Sequence, residues 1–396
     1  MGAVKKSVSI GGTGFQPVNK HGQDGRATSP WPQKRLQPRK MELILRQFDL
    51  PLKQVFTIAR GSMDVQRALV VELRQDGQRG FGETGQSSYY GASMARLTAA
   101  IEQLRPRLEA KRLEEPQRLW EELDPELSTC RFAQCALDLA AYDLWGKLRQ
   151  EPVWKLWGLS LENLPPSDYT IGISPIEVRL RQLADFPGWP VYKIKLGRAD
   201  DLDVVRRLRG QTEALFRVDA NGAWGVEETV RNSRVLADLG VEFIEQPLPP
   251  EDWDGMQTVY RESALPIIAD ESCRIEADVD RCCGCFHGIN IKLVKCGGLT
   301  PARRMIARAR QLGLKVMVGC MVESTVGISA IAQLLPLLDY VDMDGPLLLA
   351  RDIASGVKVQ RGRVLFPADS GCGVRLLPEA EAVGSPSPSG RGPARR

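Results

Sequence analysis

The 396-residue sequence predicts an α/β protein, a (β/α)8-type barrel preceded by an α+β capping domain. Changes of rhythm along the chain predict it. From Met41 to about Glu83 apolar and polar residues alternate and break at glycine, and residues 92–160 then take a helical period. After "LPPSDYT" short strand-like runs alternate with helical stretches, spaced about 25 residues apart, and eight such units are what a closed parallel barrel requires.

In chain order, residues 1–40 are rich in Gly, Pro, Ser and basic residues and lack a hydrophobic period, so a disordered basic extension is expected. Met41 follows directly and opens the first patterned segment, which raises the question of whether translation begins there. The capping domain is assigned to 41–165. Its "MELILRQFDLPL", "VFTIARG" and "RALVVELRQDGQRGFGE" read as an antiparallel meander, and its "MARLTAAIEQLRPRLEA" and "FAQCALDLAAYDLWGKLRQ" as amphipathic helices. The barrel is assigned to 166–355, with strands at "YTIGIS", "VYKIKLG", "FRVDANG", "VEFIEQP", "LPIIADES", "INIKLVK", "KVMVGC" and "YVDMDG". Residues 356–380 are expected to pack back on the cap, and 381–396 to form a disordered tail.

Hydrophobic content of 43% with 26% charged residues is ordinary for a soluble globular chain. There is no apolar run near the length of a membrane span and no signal-peptide pattern, so a cytoplasmic enzyme is the expectation, with no membrane partner. The net charge of +4 comes from the ends. Setting aside 1–40 (eight Lys or Arg, one acid) and 381–396 (three and one) turns 53 basic and 49 acidic residues into 42 and 47, a net of −5. A nucleic-acid binder acting through the basic arm would leave the strand ends described next unexplained, so no nucleic-acid partner is expected. Nine cysteines, an odd number, point to reduced thiols rather than a disulfide framework. Cys282, Cys285 and His287 in "RCCGCFHG" lack a fourth metal ligand at a usual spacing and read better as small buried residues.

Chemistry in a barrel of this type sits at the C-terminal ends of the strands. Polar residues recur there: Lys193 and Lys195 on the second strand, Asp219 and Asn221 on the third, Glu245 on the fourth, Asp270 and Glu271 on the fifth. Lys292 follows on the sixth, Glu323 after the seventh, and Asp342 and Asp344 on the eighth. Asp219, Glu245 and Asp270 come from consecutive strands, and three carboxylates brought together repel unless a cation lies between them. Oxygen donors with room for water and substrate suit Mg2+; an ion-pair network with arginines is the alternative. The second and sixth strands face each other across an eight-membered ring. Lys195 and Lys292 therefore offer an amine on either side of a substrate at the axis, as removal of a proton from one face of a carbon and its return to the other requires. Lys193 and Lys195 share a face at i and i+2. Lys193 is expected either to depress the pKa of Lys195 and help it act as a base, or to be a structural lysine paired with the acids of the third strand.

"KIK", "DANGAW", "IEQP", "ADES" and "NIKLVKCGG", in this order, resemble the muconate-cycloisomerase branch of the enolase superfamily over roughly Met41 to Leu377, and "DMDG" is similar to the paired aspartates of its dipeptide epimerases. The resemblance implies an enolase-like fold, Mg2+ ligated by Asp219, Glu245 and Asp270, support from Asn221 and Glu271, and acid/base roles for Lys195 and Lys292. It also implies that Asp342 and Asp344 bind the free α-ammonium of a dipeptide, and that "FTIARGS" and "SSYYGAS" of the cap close over the barrel mouth. The eighth strand lies opposite the fourth, so metal and aspartate pair would hold the two charged ends of a dipeptide, with the lysines flanking its epimerisable carbon.

The expected activity is magnesium-dependent epimerisation of the C-terminal residue of L,L or L,D dipeptides by two-lysine 1,1-proton transfer through an enediolate. Relatives acting on Ala-Glu place an arginine directly after "ARGS"; here Met63 stands there, which favours an uncharged or apolar second residue, although Lys53 could bring a cation from elsewhere in the lid. Met63 and Glu323 are therefore taken as candidate substrate contacts. The competing activities on the same scaffold are o-succinylbenzoate synthesis, muconate cycloisomerisation and N-acyl amino acid racemisation, whose substrates carry no free ammonium. A homo-oligomer is also allowed for.

Overall fold

The structure, a computed structural model, describes residues 40–382. The expected disordered arm and tail therefore lie, but for a residue or two at each inner edge, outside the described residues. Among the described residues no helix is long and apolar enough to cross a membrane.

The capping sheet is antiparallel, β1 (Glu42–Ile58), β2 (Gly61–Gln75) and β3 (Gln78–Gly85) in sequence order. The β2–β3 hairpin turns on Asp76-Gly77, both at positive φ (50° and 81°), the two-residue turn that matches strand twist. One sheet face packs on the 19-residue helix Arg131–Arg149, most of which is buried. The approach is very close: a Cβ on Gly80 would lie 2.3 Å from the Ala140 carbonyl oxygen, and one on Gly82 2.1 Å from that of Ala136. Glycine on the strand and alanine on the helix let the two backbones meet.

Eight parallel strands follow, each hydrogen-bonded to the next: β4 (Tyr169–Ile171), β5 (Val191–Lys195), β6 (Leu215–Asp219), β7 (Val241–Glu245), β8 (Ile267–Ala269), β9 (Gly288–Ile291), β10 (Lys315–Gly319) and β11 (Tyr340–Asp342). The ring closes between β11 and β4 through a Ser167–Val341 bridge, with the Met343 amide donating to Ser167 Oγ (3.0 Å) and the Thr170 amide to Asp344 Oδ2 (2.6 Å). This is the (β/α)8 barrel with an α+β cap that the rhythm of the sequence predicts. Two connections are shorter than the pattern suggests: only Asp278–Cys282 is helical between β8 and β9, and only Gly345–Leu348 directly after β11.

The period of two along each strand builds the mouth. Arg217 then Asp219, Phe243 then Glu245, Asn290 then Lys292, and Tyr340 then Asp342 occupy successive inward positions. The lower layer holds an apolar cluster of Phe243, Ile268 and Met317 with Tyr340 against it. Arg217 lies over the rings of Phe243 and Tyr340 and pairs with Asp168 (2.9 Å) and Glu242 (2.8 Å).

After the barrel, β12 (Ala354–Ser355) pairs with β15 (Arg375–Leu376) around the hairpin of β13 (Lys358–Gln360) and β14 (Arg363–Leu365). This segment touches the long helix of the cap: the Cys372 amide donates to Asp143 Oδ1 (2.8 Å), and Lys147 Nζ to the Val374 carbonyl (2.9 Å). All nine cysteines are free, and only Cys283 is exposed. His287 accepts the Ile267 amide on Nδ1 (3.1 Å) and stacks on Tyr260, so it serves the backbone rather than a metal.

Candidate active site

Asp219 ends β6, Glu245 ends β7 and Asp270 follows β8. Their registers bring one carboxylate oxygen from each within 4.8 Å of the others, all buried. Each meets lysine. Lys195 Nζ lies 2.5 Å from Asp219 Oδ2, Lys292 Nζ 2.8 Å from Asp270 Oδ2, and Lys193 Nζ 2.8 Å from Glu245 Oε2. Lys295, on the short helix Leu293–Cys296, adds a second amine on Asp270 Oδ1 (2.6 Å).

Electrostatics separate the three acids. Burial raises the Asp270 pKa, but Lys292 and Lys295 outweigh it and hold the group well below the usual carboxylate range. Asp219 is lowered because Lys195 and Lys193 overcome its burial. Glu245 is pushed up to about 7 by burial and by the neighbouring Asp219 charge. Around the trio, Asn221 Oδ1, Glu271 Oε2 and Asn290 Oδ1 are buried oxygens without a hydrogen-bond donor. A hard, oxygen-only donor set with surplus acceptors fits a divalent cation such as Mg2+.

A cavity of about 460 Å³ opens above, and Lys195, Lys292, Asn221, Asp342 and Asp344 line it together with residues of both cap loops. The two lysines come from β5 and its neighbour four places along the ring, β9, on opposite walls. Both are 7% exposed, reachable yet nearly dry. Burial works against the Lys292 charge, but Asp270 outweighs it and raises the pKa.

Asp342 and Asp344 sit across the ring from Glu245. Asp342 Oδ2 accepts from Lys193 (3.1 Å), while Asp344 Oδ2 accepts the Thr170 amide. Burial opposes the charge on Asp342, but Lys193 and Lys195 keep its pKa low; Asp344 is pushed up to about 8 by burial and by Asp342.

The cap supplies the lid through the turn after β1 and the loop after β3. Arg60 pairs with Glu271, donates to the Asn221 carbonyl (3.0 Å) and carries the Tyr89 ring 4.4 Å from its guanidinium carbon. Asn221, at φ 47°, gives its amide to Asp219 Oδ1 (2.9 Å) and its Nδ2 to Glu271 Oε1 (3.4 Å). Asn221 and Glu271 thus tie the carboxylates to the lid.

Two of the expected site residues are engaged away from the cavity. Lys193 does not reach the cavity. Its register partner is Arg217, one layer below the mouth, and its amine is enclosed by Glu245, Asp342 and Asp219 (3.5 Å). Three carboxylates surround its charge, the setting of the structural alternative, a lysine that joins acids of three strands. Glu323 is not on the cavity wall either: its Oε1 accepts the Met321 amide (2.9 Å), and the side chain packs against Gly327. It shapes the loop after β10. Met63 does line the cavity, whereas Lys53 gives its amine to the Leu347 carbonyl (2.8 Å).

Four positioning residues went unremarked in the sequence. Lys295 and Arg60 were inside quoted motifs. Asn290, whose Nδ2 donates to Glu245 Oε1 (2.9 Å), stands two places before Lys292 on the same face. Gln246, at φ 36°, accepts the amides of Asp270 and Ser272 on one oxygen (3.0 Å each) and thereby fixes the turn that carries Asp270. Residue type at strand ends could have signalled Asn290 and Gln246; nothing local signals Lys295 or Arg60.

Residues 40–158 match the family model described as "Mandelate racemase / muconate lactonizing enzyme, N-terminal domain", and 176–380 match "Enolase C-terminal domain-like". An L-Ala-D/L-amino acid epimerase of Flavobacterium johnsoniae is 51% identical over 85% of this chain and its own full length. One of the same name from Maribacter sp. is 49% identical over 85% of this chain and 99% of its own. The crystal structure of a dipeptide epimerase from Methylococcus capsulatus complexed with Mg and the dipeptide L-Arg-D-Lys superposes with a TM-score of 0.76 at 33% identity, covering 85% of this chain and 99% of that one.

Proposed function

The chain belongs to the mandelate racemase/muconate lactonizing enzyme family of the enolase superfamily, and from that premise we propose that it is a magnesium-dependent isomerase that epimerises the C-terminal residue of dipeptides. One observation carries the reading: two lysines stand on opposite walls of a single cavity that Asp342 and Asp344 also line, and each lysine is bonded to a member of the buried acidic trio. A substrate with a carboxylate at one end and a free ammonium at the other matches that charge pattern. Acyl amino acids, muconate and o-succinylbenzoate precursors lack the ammonium and leave Asp342 and Asp344 without a task.

In the mechanism, Asp219, Glu245 and Asp270 would hold Mg2+. When bound there, it would supply charge stabilisation to the enediolate formed on removal of an α-proton beside a carboxylate. Asp342 and Asp344 take the ammonium, which orients the α-carbon of the second residue between the amines. Lys195 or Lys292, as the neutral amine, accepts the proton; the other, as ammonium, donates one to the opposite face. Their hydrogen bonds to Asp219 and Asp270 hold the amines apart on their own walls, so each serves one face. Arg60 and Tyr89 cover the mouth and limit the access of water.

The side chain of the second residue would meet the wall made by Phe56, Ile58, Met63 and Val65, which supports an uncharged or apolar preference. Arg67 also borders the cavity but is largely exposed and faces Asp49 (3.4 Å). The test is a panel of L-Ala-L-X dipeptides beside N-acyl amino acids, with Mg2+ present and then chelated. Turnover of the dipeptides alone, lost on chelation, is expected; turnover of the N-acyl compounds in preference would overturn the reading.

A further inference from the structure

Cys320 immediately follows β10 and directs its thiol at the aspartate pair. Its Sγ lies 3.8 Å from Asp342 Oδ1 and 3.9 Å from Asp344 Oδ1. The other oxygens are engaged, Asp342 Oδ2 by Lys193 and Asp344 Oδ2 by the Thr170 amide. The thiol faces the two Oδ1 atoms at a long contact distance. All three residues are over nine-tenths buried, yet they line the cavity.

From this arrangement we infer a second metal site, for a borderline-soft divalent cation of the zinc type, formed by Cys320, Asp342 and Asp344. One ligand atom from each lies within 4.8 Å of the others. A tetrahedral ion with a bond to sulfur of about 2.3 Å and bonds to oxygen of about 2.0–2.2 Å sets an S···O edge of about 3.6 Å, so the two S···O distances need to contract by only a few tenths of an ångström. The fourth position opens on the cavity, where water can fill it. Thiolate is a poor ligand for Mg2+ and a good one for Zn2+, so the two sites sort their ions by donor type. On binding, the Cys320 S–H and any proton on the Asp344 carboxyl pass to solvent, and the thiolate forms the Zn–S bond; no redox step is involved.

The consequence rests on the proposed function: if Asp342 and Asp344 receive the substrate ammonium, zinc and dipeptide exclude each other, and zinc inhibits competitively with the amine end of the substrate while Mg2+ stays in place. The experiment is calorimetric titration of the Mg2+-saturated full-length protein with ZnCl2, for wild type, Cys320→Ser and Cys320→Ala, with X-ray absorption at the zinc edge. One zinc equivalent with a sulfur neighbour near 2.3 Å is expected, weakened at least tenfold in both variants, with dipeptide raising its apparent Kd. Zinc that enters only by displacing Mg2+, that shows no sulfur, or that binds both variants as tightly as wild type overturns the site. A zinc site lost in both variants but indifferent to dipeptide upholds the metal site and contradicts the ammonium assignment instead.

Discussion

Lys193 Nζ lies 2.8 Å from Glu245 Oε2 and, on its other side, 3.1 Å from Asp342 Oδ2, so one buried amine ties the acidic trio to the aspartate pair across the barrel axis. Removing it strands three buried carboxylates. Lys193→Met is expected to cost about 3–5 kcal/mol of stability, the usual range for breaking a buried ion pair. Added Mg2+ should recover more of the thermal midpoint in the variant than it adds to wild type, as differential scanning calorimetry with and without the ion will show.

In the proposed mechanism Lys195 and Lys292 each serve one face of the reacting carbon. Lys195→Ala and Lys292→Ala should each lower epimerisation by at least about 10²-fold, the lower end for a lost general acid or base. Exchange of the α-proton with solvent should survive from opposite enantiomers in the two variants, and proton NMR of L,L and L,D substrates in deuterated water distinguishes them. Full turnover by either variant contradicts the two-base scheme.

Asp344, with its pKa pushed up to about 8, is protonated below that pH and must lose the proton to pair with an ammonium. Raising the pH toward 8 should therefore lower KM, and binding at pH 7 should release a proton, measured by calorimetry in buffers of different ionisation enthalpy. At higher pH the substrate's own α-amino group, with a pKa of about 8, loses its charge and KM rises again. Asp344→Asn should raise KM and remove the acid limb of the profile. Unchanged dipeptide kinetics would count against the ammonium site.

Met63 lines the apolar wall. Met63→Arg should shift the ratio of kcat/KM for Ala-Glu over Ala-Leu upward by about tenfold or more, since a charged hydrogen bond contributes roughly 1.5–3 kcal/mol. No shift would place the second side chain elsewhere in the cavity.

The barrel and its acid trio were legible because a strand presents alternate residues to one face and barrel chemistry sits at strand ends; Asp219, Glu245, Asp270, Lys195 and Lys292 obey both rules. Depth along the axis was not. Lys193 and Lys195 point inward alike, but two residues put Lys193 in the layer of Arg217, where acids from three strands enclose it. Glu323 lies on a loop, where periodicity says nothing of direction, and it turned onto the backbone of Met321. Lys295 and Arg60 act over long chain distances, Arg60 on Glu271, Lys295 on Asp270, which only the folded chain brings together.

The most direct test of the central claim is mass spectrometry and NMR of a dipeptide such as L-Ala-L-Leu incubated with the enzyme and Mg2+ in deuterated water. The account predicts an L,D product carrying one solvent deuterium at the α-carbon of the second residue, and no product once the metal is chelated. Deuterium at the first residue, inversion without solvent label, or turnover that persists under chelation would contradict it.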